Sequence, residues 1–160
     1  MKTYITIYFN SDGKKPSHVV RKLEDLGFEL NRGEYDFMYD WKEETSLEHI
    51  MSLGDKIKEL FKGDKVLFQI KTTEGEDEDP EEEMKTYMKL IFSAEEGKSP
   101  TDTDVVVTDL MDIGFEPIKG GYDYLYRWPS PVGTEAVLEV ADRVYEAFEG
   151  CGIYFKFKTL

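Results

Sequence analysis

The sequence is poor in the residues that usually announce chemistry. Its 160 residues include a single cysteine, Cys151, and two histidines, His18 and His49. One cysteine excludes an intramolecular disulfide and favours a reducing compartment. Neither histidine has a cysteine or carboxylate at ligand spacing, so no metal or other cofactor is expected. No phosphate-binding glycine loop and no nucleophile motif is present, and no catalytic residue stands out. Apolar runs fall far short of the roughly 20 residues that span a bilayer. The start, Met1-Lys2-Thr3-Tyr4-Ile5, alternates instead of forming an apolar leader. Together these features predict a cytoplasmic chain that does not enter a membrane.

Positive charge is scarce as well. Lys and Arg number 20 against 34 Asp and Glu, a net charge of -14. The deficit is uneven: residues 1–73 carry -1, residues 74–83 carry -8 and residues 84–160 carry -5. Wholesale binding of nucleic acid needs clustered cations facing phosphates, and this balance disfavours it. Eight acids and no base in 74–83 read as a solvated, self-repelling linker, or as an acidic decoy for a basic partner.

What the sequence does have is an internal repeat. Met1-Lys2-Thr3-Tyr4 recurs as Met84-Lys85-Thr86-Tyr87, and Phe9 and Pro16 recur as Phe92 and Pro100. A short insertion shifts the offset, and the match then runs without a gap. Gly27-Phe28-Glu29 becomes Gly114-Phe115-Glu116. Tyr35, Asp36, Tyr39 and Trp41 become Tyr122, Asp123, Tyr126 and Trp128. Phe68, Lys71 and Thr72 become Phe155, Lys158 and Thr159. Such regularity implies a gene duplication. Three segments are expected: a first repeat over 1–73, an acidic linker over 74–83 and a second repeat over 84–160.

Within one copy, Lys2 to Phe9 alternates as a half-buried strand. Val19, Leu23 and Leu26 have helical spacing, stopped by Gly27. Phe28–Leu30 and Glu34–Trp41 read as strands around an Asn31-Arg32-Gly33 turn. Thr45 and Glu48 have capping-box spacing for a second helix. Val66 to Thr72 reads as a closing strand. The order β-α-β-β-α-β resembles the ferredoxin-like split βαβ arrangement. That resemblance implies an α+β tandem of two four-stranded antiparallel sheets, each with two helices on one face. It says little about function, because this fold hosts many.

Alternation divides each sheet into two rows. An acidic row cannot face a helix-covered core unpaired, so Tyr35, Phe37, Tyr39 and Trp41 are assigned inward. The open faces then carry Tyr4, Asp36, Met38 and Lys71 in the first copy, and Tyr87, Asp123, Leu125 and Lys158 in the second. These eight are the candidate binding residues, with Tyr4 placed between Asp36 and Lys71. The basic-glycine-aromatic run Arg32-Gly33-Tyr35 invites comparison with RNA-recognition motifs, but its spacing departs by one residue and its acids repel phosphate. The expected function is a non-enzymatic binding or interaction protein for a protein or small polar ligand. Its two open faces are expected to meet each other, or each to meet a partner chain, as in a pseudo-dimer. The alternatives are a small-molecule sensor or enzyme using the cleft between repeats, and the acidic decoy.

Overall fold

The computed structural model describes residues 1–74, 82–92, 103–149 and 151–160. Most of the acidic linker therefore lies outside the described residues. The fold is α+β. Among the described residues, four helices and eight strands follow in the order β1 (Lys2–Asn10), α1 (Pro16–Leu26), β2 (Glu29–Leu30), β3 (Phe37–Asp40), α2 (Leu47–Leu60), β4 (Leu67–Thr73), β5 (Lys85–Phe92), α3 (Thr103–Ile113), β6 (Glu116–Pro117), β7 (Tyr124–Arg127), α4 (Thr134–Phe148) and β8 (Ile153–Thr159).

Local chemistry explains the boundaries. Pro16 opens α1, where its missing N–H costs nothing, and Gly27 closes it in the left-handed region at φ 105°. The α2 cap is Ser46, whose hydroxyl accepts the His49 N–H, not Thr45. The third strand starts at Phe37 rather than Glu34, since residues 32–36 bend away from the ladder.

The strands form one antiparallel sheet in the order β2-β3-β1-β8-β5-β7-β6, with β4 on the other side of β1. This corrects the expectation of two separate sheets. It also corrects the pseudo-dimer of facing sheets: the halves join edge to edge, and their open faces lie side by side. The physical cause is at the end of β1. The odd-numbered backbone groups of β1 point away from β4. Met1 and Ile5 accept there from Trp41 and Asp36, beside β3, while Ser11 donates to Ile153 at the start of β8. Strand β3 is too short to cover all of β1, so β8 pairs with what remains, Phe9 opposite Phe155 and Asn10 opposite Tyr154. The edge of β1 is thus forked between two strands.

Pairing registers match between the halves. Tyr4 lies opposite Met38 and Lys71, and Tyr87 lies opposite Leu125 and Lys158. The inward rows carry the core, which is continuous across the sheet. Ile5, Ile7, Phe9, Val19, Val20 and Leu23 pack into one cluster with Val140, Val144, Phe148 and Phe155. A matched network closes the end of each half. The Trp41 indole donates to Thr3, which bonds Thr72, and Trp128 donates to Thr86, which bonds Thr159. This is how the two tryptophans of the inward aromatic row satisfy their indole N–H groups.

Candidate functional site

The most unusual chemistry lies in the fork of β1. Ile7 donates its N–H into the gap between β3 and β8, and the Asp36 carboxylate accepts it at 2.8 Å through Oδ2. The other oxygen, Oδ1, accepts from Lys156 Nζ of β8 at 2.9 Å. Both side chains are 8% exposed. On β8, Lys156 stands opposite Lys89, a like-charge pair that is unfavourable by itself. Leaning across to Asp36 gives its ammonium a counter-charge. Burial pushes the Asp36 carboxyl up from 3.8 to about 6, outweighing the opposing pull of Lys156, the Ile7 N–H and Lys158.

Around this pair the halves are sewn together. Gly33 and Arg32, in the turn before β3, donate to the carbonyls of Thr159 and Leu160. Ser17 donates its N–H to Asp142 at the start of α1, and Tyr145 donates its hydroxyl to the Gly13 carbonyl. Between α1, α4 and the sheet remains a cavity of about 30 Å³, lined by Phe9, Val20, Leu138, Ala141 and Phe157 among others.

The C-terminal half has the same fork without an occupant among the described residues. Asp123 donates its N–H to Met88 and accepts the Leu90 N–H at 2.8 Å, yet it is exposed. Among the described residues, Lys156 reaches the carboxylate in the first fork and no side chain reaches the one in the second.

The eight sequence-predicted residues fall into two groups. Tyr4, Met38 and Lys71 do share the open face, as do Tyr87, Leu125 and Lys158. Asp36 and Asp123 do not lie between the tyrosine and the lysine; their carboxylates lie along the strand edge, in the forks. Tyr4 is 7% exposed and Leu125 4%, so neither is an open contact point. What covers Tyr4 is Tyr35, which belongs to the open face and not to the inward row. Its ring centroid is 5.1 Å from that of Tyr4, with Lys71 Nζ at 5.7 Å from the Tyr35 centroid. Tyr122 repeats this over Tyr87 and under Lys158. The bend over residues 32–36 breaks the alternation that had placed Tyr35 inward. Contact with Tyr35 raises the affinity of exposed Lys71 for its proton. Burial, then the nearby charges of Asp36, Tyr8 and Glu34, push the Tyr122 phenol up.

Sequence reasoning assigned Tyr35 inward and did not single out Tyr122, Ser17, Asp142 or Lys156 as site residues. One signal was available for Lys156: its counterpart in β4 is Gln69, a change of charge between otherwise similar strands. Both Asp36 oxygens are engaged and shielded, so the pair acts as a brace between halves. Elsewhere, His49 Nδ1 lies 3.4 Å from Thr45 Oγ1 and Cys151 packs beside the core. Among the described residues no three His, Cys, Asp or Glu come together as metal ligands. None of the described helices is long and apolar enough to cross a membrane. No family model matches the chain, and no curated protein matches it.

Proposed function

We propose that this chain is a cytoplasmic, non-enzymatic interaction protein. In this reading two ferredoxin-like repeats, 1–73 and 84–160, arose by tandem duplication and are joined by the acidic linker 74–83. Matching registers and matching forks support it. The protein binds another polypeptide through its two outer ends, not through the joint.

One observation carries the reading. Among the described residues five large apolar side chains are exposed: Leu47, Met51, Leu67, Ile91 and Met111. They occupy the counterparts of positions at or beside the joint. Met51, 61% exposed, matches Leu138, and Leu67, 54% exposed, matches Tyr154. Leu47 lies one helical turn before Met51. At the other end Ile91 matches Tyr8, and Met111 lies one turn beyond Val107, the match of Val20. Lone exposed apolar residues are ordinary, but sets at two matched ends mark interaction surfaces. Strand β4 adds an edge that pairs only with β1 among the described residues, a template for strand addition. The cavity at the joint has room for about one water, whereas a metabolite pocket needs several hundred Å³.

The test is capture from the protein's own lysate with tagged wild type, Met51→Lys, Met111→Lys and Tyr35→Ala. A polypeptide lost with either methionine variant and kept with Tyr35→Ala supports the reading. Equal retention by all four overturns it. A small-ligand reading has one observation in its favour, an open depression of about 350 Å³ beside Lys85, Arg127 and Trp128. It predicts a rise in melting temperature with one metabolite, which Trp128→Phe weakens.

A further inference from the structure

We infer that the partner's binding segment is an acidic extended strand, which adds to the outer edge of β4 alongside α2. The inference rests on the interaction reading above and names the partner's chemistry at one of the two ends.

The edge follows from register. Leu67, Gln69 and Lys71 stand opposite Tyr8, Thr6 and Tyr4, the β1 residues whose backbone groups point toward β4. Bonded groups alternate along an antiparallel strand, so Phe68 and Ile70 point theirs outward. Among the described residues β4 pairs only with β1. Its counterpart β8 shows what such an edge takes. There the equivalent edge carries β1, with Phe9 opposite Phe155, and Phe155 and Phe157 are buried. Phe68 and Ile70, at the matching positions, are half-buried.

Helix α2 forms the other wall. A methyl on Gly54 would meet Ile70, and Phe61 packs on Phe68, so this side of the helix covers β4. Leu47, Met51, Lys58 and Lys62 come next round the helix, and all four are exposed. The opposite side, with Lys56 and Leu60, faces Leu26 of α1. The exposed stripe therefore flanks the outer edge of β4.

Charge names the occupant. Lys58 and Lys62 on the stripe, Lys65 before β4 and Lys71 on it surround the edge, with Asp55 at the border. Lys58, Lys62 and Lys65 bond no carboxylate among the described residues. Lys65 stands at φ 56°, where its counterpart Gly152 stands at φ 66°, so a lysine occupies a left-handed position that suits glycine. The joint supplies a precedent, since the segment across the β8 edge brings the Asp36 carboxylate to Lys156. A second copy fits less well, because its own β4 would bring Lys65 and Lys71 to the same lysines. The segment that fits alternates apolar residues, for Met51, Phe68 and Ile70, with carboxylates for the lysines.

Titration of the purified full chain with a synthetic peptide alternating glutamate and valine tests this, read by residue-resolved amide hydrogen exchange. The peptide is expected to bind with a dissociation constant of about a millimolar or tighter. Exchange should slow at Phe68 and Ile70 more than at Gln69 and Lys71, whose N–H groups face β1. Lys58→Glu with Lys62→Glu is expected to weaken binding about tenfold, the equivalent of two surface ion pairs, and salt to weaken it for wild type. The matching lysine and valine peptide is expected not to bind. No binding of the glutamate peptide overturns the inference. So does equal binding of both peptides, or binding that leaves Phe68 and Ile70 unprotected. Protection of Phe68 and Ile70 that rises with protein concentration without peptide overturns it in favour of a second copy. If Met51-dependent capture of a polypeptide from lysate accompanies any of these results, the interaction reading stands and only the acidic strand falls.

Discussion

Strands β4 and β8 have matching patterns and different fates. Leu67–Thr73 reads LFQIKTT and Tyr154–Leu160 reads YFKFKTL. In β4 the outward residues Leu67, Gln69 and Lys71 are exposed and the inward Phe68 and Ile70 half-buried. In β8 Phe155, Lys156, Phe157 and Thr159 are all buried. Pattern decides which face a side chain takes; a second neighbouring strand decides how much water it loses. The substitutions between the strands, Gln69 for Lys156 and Ile70 for Phe157, follow that difference. The strand at the joint carries the bulkier core residue and the charge that answers Asp36.

The comparison can be broken by substitution at matched positions. Phe155 is fully buried between Phe9, Phe148 and Phe157, while Phe68 is half-buried beside Phe61. Phe155→Ala is expected to cost roughly 3–5 kcal/mol in urea unfolding, and Phe68→Ala about half as much. Equal losses would show that β4 is as deeply packed as β8.

The charged position is the next test. Lys156→Met leaves the Asp36 carboxylate buried without its partner and is expected to cost roughly 3 kcal/mol, against less than about 0.5 kcal/mol for Gln69→Met. Adding Asp36→Asn to Lys156→Met should restore most of the loss, because asparagine still accepts the Ile7 N–H without an uncompensated charge. Acidity gives an independent readout. The folded carboxyl of Asp36 titrates near 6, above its unfolded 3.8, so the folded state holds the proton more tightly. Its contribution is therefore complete below the unfolded value and is lost as pH rises through about 6. Asp36→Asn should remove that part of the stability slope between pH 4 and 6, read by unfolding at each pH.

The smallest effect compares the two helix ends. Gly27 and Gly114 both have positive φ, and a methyl at either meets a tyrosine ring. At Gly114 the Tyr126 ring would be 2.8 Å away, and at Gly27 the Tyr39 ring 3.2 Å. Left-handed strain of roughly 1–2 kcal/mol applies to alanine at both. Gly114→Ala should exceed Gly27→Ala by the cost of moving Tyr126, measurable as a lower melting temperature.

Much of the local structure was legible. Helices α1 and α2, the glycine stop at Gly27 and the inward row Phe37, Tyr39 and Trp41 follow from spacing and from the cost of burying acids. Tyr35 was not legible in the same way. Its neighbours have strand alternation, but the chain there answers to the turn and to the β1 edge, which bends it out of the ladder. The candidate site was legible only in part. Its residue types and the open faces could be named, while the pairing of Asp36 with Lys156, 120 positions apart, depends on which strand fills the fork.

The sequence by itself determined the repeat, the element order within each copy and the faces of most strands, because these depend on side-chain period and on neighbours a few residues away. Tertiary structure alone decided that the halves share one sheet, that Asp36 is a buried brace while Asp123 is exposed, and that β4 pairs only with β1 among the described residues. Those outcomes depend on which backbone groups remain unpaired once each half has formed, and a strand edge accepts any segment that can reach it and satisfy its hydrogen bonds.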